Sequence, residues 1–228
     1  MTDAARATRP GALAFDVNET LLDLGALDGF FEEVLGAAAA RREWFALAIQ
    51  AAMVTTITGR YESFADLGVA CLESVARHRD RPVGPADRDR LRRTMAGLPP
   101  HPDVPAALGA LREHGYRMAA LTNNPLAVVR AQLGDAGLTP LFDEVLSADE
   151  VRRLKPACEP YQHAADRLGV GIGELMLVAV HGWDCAGAQA AGAGAALVTR
   201  GGATPLPAGP PPDLVVPGMA ELVTELTA

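Results

Sequence analysis

Short, almost uninterrupted apolar runs alternate with helical segments along this chain, and that alternation restricts its fold more than any other feature. The first run, Gly11–Val17 (GALAFDV), carries the carboxylate Asp16 near its end. From Val104 the rhythm is sustained. Val104–His114 reads as a helix with Leu108 and Leu111 on one face, and Tyr116–Leu121 (YRMAAL) as a strand. A helix opens at Asn124-Pro125 and reaches about Gly134, with Pro at a permitted early position. Strands follow at Glu144–Ser147, Leu175–Val180, Ala195–Val198 and Asp213–Val216, separated by helices at Pro160–Leu168 and Cys185–Gly192 and closed by a short terminal helix. Strands without polar alternation are covered on both faces. The pattern therefore predicts an α/β protein built on a doubly wound parallel sheet.

One segment breaks the rhythm. From about Leu27 to Met95 apolar residues recur at helical spacing with no strand-like alternation, as in FFEEVLGAAAA, REWFALAIQAAM and FADLGVACLESVARH. Between Gly25 and Ala96 there are 10 acidic and 10 basic residues, so the segment is close to neutral. The expected organisation is an α/β core from residues 1–24 and 97–228, with a small helical cap domain of about four helices at 25–96, inserted after the first strand. The turn-rich Leu98–Pro105 (LPPHPDVP) closes the insert, and Gly201–Pro212 (GGATPLPAGPPP) reads as a loop.

Composition removes several classes of function. The chain has 228 residues, 49% hydrophobic and 21% charged, which is ordinary for a folded protein with its own core. The net charge is −8 and no basic block is interleaved with aromatics, which argues against nucleic acid as a partner. No run of 18 apolar residues occurs, so no membrane-spanning helix is expected. Cys71, Cys158 and Cys185 are widely spaced and form no CxxC pair, which fits a reducing cytoplasm and argues against disulfides or structural zinc. The N-terminal MTDAARATRP lacks the apolar run of a secretory signal.

In a parallel sheet, ligands bind at the carboxyl ends of the strands. Four of those ends carry polar groups: Asp16, Asn18 and Thr20; Thr122 and Asn123; Lys155; and His181, Trp183 and Asp184. Each group has two readings. Asp16 is either a helix cap or a rigidly held carboxylate nucleophile. Thr122 and Asn123 are turn residues before Pro125, or donors to an anion. Lys155 is the only lysine beside 19 arginines, either a survivor of a coding bias or a residue doing what arginine cannot. A lysine beside Asp16 would keep that carboxylate ionised and neutralise an anionic substrate.

FDVNETLLD, LTNN, Lys155-Pro156 and HGWD together resemble the four signatures of the haloacid dehalogenase (HAD) superfamily, over nearly the whole chain. The resemblance implies a Rossmann-like core with the helical insert as its cap. Most members are phosphatases, in which a second Asp two residues after the nucleophile protonates the leaving alcohol. Here that position is Asn18, a carboxamide that cannot donate and recover a proton in the same way. VAVHGWDCAGAQAAG supplies one acid, Asp184, where metal-dependent phosphatases present two, so oxygen ligands for Mg²⁺ are few. The Trp-Asp pair, and Tyr161 six residues after Lys155, are similar instead to the type II L-2-haloacid dehalogenases. Two departures stand out: Asn18-Glu19 replaces a common Tyr-Gly, and His181 replaces a common Asn.

The resemblance implies hydrolysis of small 2-haloalkanoic acids to 2-hydroxy acids through an ester on Asp16, with no metal or other cofactor. Lys155 would lie beside Asp16, and Thr20 would orient it. Thr122 would bind the substrate carboxylate. Asn123, Trp183 and a cap arginine, Arg41 or Arg42, would cradle the halide. Asp184 would fix Lys155 and the hydrolytic water, supported by Tyr161. His181 is either a locally bonded strand-end residue or, as a neutral imidazole, an aid to that water. Trp44 and Phe45 read as packing inside the cap, with one of them free to line the pocket, Glu19 as a solvated or capping residue, and Cys158 and Cys185 as small fillers open to thiol reagents. The partner implied is a small anionic substrate, and a homodimer is suggested. Two other functions compete: a Mg²⁺-dependent phosphatase acting on a small phosphometabolite, and a non-catalytic ligand-binding protein on the same scaffold.

Overall fold

The computed structural model describes residues 9–228; the reading of the N-terminus as free of a secretory signal falls largely on residues 1–8, outside them. Six parallel strands form one sheet in the order β3-β2-β1-β4-β5-β6. They are β1 (Ala12–Phe15), β2 (Arg117–Thr122), β3 (Glu144–Ser147), β4 (Leu175–Ala179), β5 (Gly194–Val198) and β6 (Leu214–Val216). Chain order reverses on either side of β1, which is paired with β2 and β4. The crevice for a ligand in such a sheet opens beyond the carboxyl ends of the strands at this reversal, which is where Asp16, Thr122 and His181 follow β1, β2 and β4.

Between β1 and β2 lie α1 (Asp28–Leu35), α2 (Ala40–Ile57), α3 (Phe64–His78) and α4 (Pro85–Ala96), then α5 (Val104–Glu113). The remaining helices are α6 (Leu126–Asp135), α7 (Cys158–Leu168), α8 (Gly182–Ala190) and α9 (Met219–Thr227). The helical spacing read between Leu27 and Met95 thus becomes four helices. Among the described residues no helix is long and apolar enough to cross a membrane.

Side chains of β1 alternate between two apolar layers. Leu13 and Phe15 pack into the core shared with the inserted helices, and Ala12 and Ala14 into the layer under α7 and α8. Leu13 and Phe15 are fully buried, each contributing ~1.5–3 kcal/mol of transfer free energy. The second layer is rich in alanine, and α8 makes its close approach at a glycine. A Cβ on Gly187 would stand 2.6 Å from both Pro156 Cβ and the Tyr161 hydroxyl, so only glycine lets α8 reach the segment that carries Lys155.

Helix α8 starts at Gly182, three residues earlier than the expected start at Cys185. Gly182 reads as a breaker in sequence. In space it admits the Thr204–Leu206 loop, because a Cβ there would lie 2.6 Å from the Leu206 amide. The earlier start places Trp183 and Asp184 in the first helical turn, over the end of β4.

Candidate active site

Asp16 directly follows β1, its amide still bonded to Val178 O of β4 at 3.0 Å. The sheet thereby fixes its backbone, and three side chains fix its carboxylate. Lys155 Nζ donates to Oδ1 at 2.8 Å, and Thr20 Oγ1 donates to Oδ2 at 2.7 Å. The third is His181, whose Nδ1 lies 3.1 Å from Oδ2. Thr20 is held in turn by the Val180 amide. Burial opposes ionisation of Asp16, but the charge of Lys155 and the bond from His181 outweigh it and hold the carboxyl well below the usual carboxylate range.

Lys155 is 1% exposed and bridges two carboxylates, with Asp184 Oδ2 at 2.7 Å and the Leu121 carbonyl at 3.0 Å completing its three donors. Burial disfavours the ammonium, yet Asp16 and Asp184 raise its pKa, so it stays charged. A guanidinium is too broad for this three-acceptor pocket. Complete burial pushes the Asp184 carboxyl above its ordinary value, and the Tyr161 hydroxyl donates to its other oxygen. Burial and Asp184 push Tyr161 well up, so it remains a phenol and a donor.

Asn123 lines the inner cavity and also holds the lysine. Its side chain bonds the Lys155 main chain in both directions, receiving from Lys155 N at 2.7 Å and donating to Lys155 O at 3.2 Å. It therefore positions the lysine. Thr122 is buried, and its Oγ1 accepts from the Asn124 amide, leaving the hydroxyl proton to donate. Asn18 accepts from Gln132 Nε2 at 3.2 Å.

His181 is bonded at both nitrogens, by Asp16 and by Glu19 Oε2 at 2.9 Å. Its ring stacks on Trp183 and lies against Phe45, with centroids 5.3 and 5.5 Å away. Burial lowers its pKa, but the bonds to the two carboxylates outweigh burial and push it up to about 9. The local bonds of the first reading are present, and they favour the imidazolium form with both N–H groups donated.

A small cavity of about 20 Å³ is lined by Asp16, Asn18, Thr122, Asn123, Lys155, His181 and Trp183, closed by Phe45, Ile49 and Phe64 of the insert. A cleft of about 730 Å³ opens beside it, lined among others by His181, Trp183, Arg41, Arg42 and Arg200. The two cap arginines thus stand in the outer cleft, outside the inner cavity. Arg41 is also engaged, by Glu19 at 3.0 Å and Asp28 at 2.6 Å, whereas Arg42 is exposed.

Sequence reading missed several contributors. Glu19 was read as solvated or capping; it ties His181 to Arg41. Of the two cap aromatics, Phe45 is the one that lines the cavity, while Trp44 packs and donates to Gly68 O. Gln132 is a fully buried polar residue on an otherwise apolar helix face, joining Asn18, Asn124 and the Met95 carbonyl. Arg200 follows β5 and would have been found by the strand-end rule; it donates to Thr20 O and pairs with Asp103. Cys185 is buried with its thiol pushed up to about 12, first by burial.

Among the described residues no group of three His, Cys, Asp or Glu is arranged to hold a metal ion. The donor set fits Mg²⁺ poorly, since the oxygens of Asp16 and Asp184 already face Lys155, Thr20, His181 and Tyr161.

Known proteins resemble this chain in sequence and in fold. A (S)-2-haloacid dehalogenase of Burkholderia cepacia is 30% identical over 196 residues, 85% of each chain. A phosphoglycolate phosphatase of Cupriavidus necator is 38% identical over 104 residues, 46% of this chain and 45% of that one. The crystal structure of an L-2-haloacid dehalogenase superposes with a TM-score of 0.92 at 28% identity, covering 97% of this chain and 100% of that one. The family model for haloacid dehalogenase-like hydrolases matches residues 10–192. The chain is a member of the haloacid dehalogenase-like hydrolase family.

Proposed function

We propose that this hydrolase cleaves the carbon–halogen bond of small 2-haloalkanoic acids to give 2-hydroxy acids, through an ester on Asp16 and without a metal. The observation that carries the reading is the Asp16–Lys155 pair, 2.8 Å apart at the foot of the inner cavity. It sits beside an Asn18 carboxamide whose oxygen accepts from Gln132 and whose N–H groups are too weakly acidic to protonate a leaving alcohol.

In this reading a carboxylate oxygen of Asp16 attacks the halogen-bearing carbon from behind. A C–O bond forms and the halide leaves with the C–X electron pair. The Thr122 hydroxyl donates to the substrate carboxylate, and the edge of Trp183 faces the departing halide. Lys155, held by Asp184, Asn123 and the Leu121 carbonyl, keeps Asp16 ionised for attack. Water then cleaves the ester at the Asp16 carboxyl carbon. The tight inner cavity favours short substrates, which enter through the outer cleft. The proposal extends to a cytoplasmic setting, in which the three free cysteines stay reduced, and to a homodimer.

The partial likeness to a phosphatase supports a second reading, Mg²⁺-dependent phosphate release. One panel separates the two: halide release from chloroacetate and L-2-chloropropionate in EDTA, beside phosphate release from phosphoglycolate with Mg²⁺. Halide release that survives EDTA is expected. Phosphate release abolished by EDTA, with no halide, would overturn the proposal.

A further inference from the structure

Gln132 is completely buried, on the face of α6 that also buries Val129 and Leu133. An amide in such a place costs free energy unless its polar atoms are bonded. Here they are bonded on both sides. Nε2 lies 2.7 Å from the Met95 carbonyl oxygen and 3.2 Å from Asn18 Oδ1, and Oε1 accepts from Asn124 Nδ2 at 3.4 Å. Met95 is the last residue but one of α4. Its carbonyl is among those that a helix leaves without an internal partner, and Gln132 fills that place.

The Met95 carbonyl sets the direction of the whole chain of amides. A carbonyl oxygen only accepts, so the end of Gln132 beside it is the NH₂ group. The second N–H of that group then points at Asn18. Asn18 is thereby turned with its oxygen to Gln132 and its own NH₂ group away. Asn18 is 5% exposed and lines the inner cavity. Among the described residues nothing accepts from its Nδ2, and that atom is not sealed inside the protein. The cavity wall thus holds a donor of fixed orientation whose acceptor lies outside the protein.

We infer that Asn18 Nδ2 donates to the carboxylate of the substrate, and that Gln132, anchored on the Met95 carbonyl, is the positioning residue that presents it. The inference rests on the reading of the cavity as a 2-haloacid site. Topology selects the carboxylate over the halide. Gln132 belongs to α6, which follows β2, and β2 and β4 flank β1 on opposite sides. Gln132 therefore draws Asn18 to the β2 side of the cavity, where Thr122 stands, and away from Trp183 beyond β4. Thr122 and Asn18 then offer two donors to the two oxygens of one carboxylate, the strongest acceptor such a substrate brings. The carboxylate exchanges no bond in the reaction. A contact to it is equally strong before and during attack, so its loss raises KM and spares kcat.

Steady-state halide release from chloroacetate tests both residues. Asn18→Ala should raise KM about 10–100-fold, the loss of one hydrogen bond to a charged group, with kcat within about threefold of the wild type. Gln132→Met keeps the volume and removes the bonds, and should raise KM in the same direction by a smaller factor, because Asn18 remains but turns freely. The double variant should be no worse than Asn18→Ala alone, since Gln132 acts through Asn18. A Gln132 that served only the fold would leave KM where it is. A second measurement needs no Gln132 variant and carries the test if Gln132→Met fails to fold. In ¹⁵N spectra of the wild type, the Asn18 side-chain amide protons, assigned by their loss in Asn18→Ala, should shift when propionate is added. An unmoved KM in Asn18→Ala, a loss of kcat at constant KM, additive effects in the double variant, or amide protons indifferent to propionate would overturn the inference. Absence of halide release by the wild type would instead overturn the function on which it rests.

Discussion

Lys155 Nζ lies 2.8 Å from Asp16 Oδ1, although 139 positions separate the two residues in the chain. The sheet order creates this contact. Asp16 ends the central strand, and Lys155 is returned over it by the connection between β3 and α7, anchored by Asn123 at the end of β2.

Replacing Lys155 tests that contact twice. Lys155→Arg should lower turnover about 10²–10³-fold, the usual loss when one fixed electrostatic partner is displaced, because the planar guanidinium cannot meet Asp16, Asp184 and the Leu121 carbonyl together. Lys155→Met should destabilise the fold by about 3–5 kcal/mol, since two buried carboxyls lose their shared cation. Steady-state assays and urea unfolding check the two. A fully active arginine variant would refute the assignment.

Stability should fall as pH rises from neutrality, and His181 gives the reason. Its pKa moves from 6.5 to about 9 on folding. The folded state therefore holds a proton that the unfolded chain releases within that window. The stabilisation is complete below pH 6.5 and is lost as pH rises through 9, an effect on the order of 3 kcal/mol. Urea midpoints at pH 6, 7.5 and 9.5 should decline for the wild type, and between pH 6 and 7.5 the decline should be nearly absent in His181→Asn, the raised Cys185 thiol contributing only above about pH 9. Equal slopes in both proteins would count against an imidazolium between Asp16 and Glu19.

Tyr161→Phe should cost roughly 1–3 kcal/mol, the penalty for leaving a buried acceptor without its donor, because Asp184 keeps Lys155 but loses the phenol. Thermal unfolding reads the loss. Activity should fall less than in Lys155→Arg, since the ammonium that touches Asp16 remains. A variant as stable as the wild type would show that water replaces the hydroxyl.

Strand ends were readable in sequence because a short apolar run ending on a polar residue has few other uses in an α/β chain. Asp16, Thr122 and His181 follow from that rule, and Lys155 stands out as the only lysine. Other features had no such signal. Gln132 sits among apolar neighbours on α6, and only the bend of the chain past Asn18 reveals its task. Asn123 has the amide expected of an anion donor, but its hold on the backbone of Lys155 carries no sequence signal. Glu19 and His181 each look like isolated departures from a family pattern; their contact depends on a left-handed turn at Glu19 that glutamate does not advertise. The cap arginines were placed by likeness alone, and the packing of α2 sets them in the outer cleft.

The most direct measurement of the central claim is a single turnover of chloroacetate in H₂¹⁸O with enzyme in excess. If Asp16 is the nucleophile, the hydroxyl oxygen of the glycolate comes from the Asp16 carboxylate and carries no label. The ¹⁸O then appears in the peptide containing Asp16. Labelled glycolate from the first turnover, with an unlabelled Asp16 peptide, would mean that water attacks the substrate directly and would contradict the account.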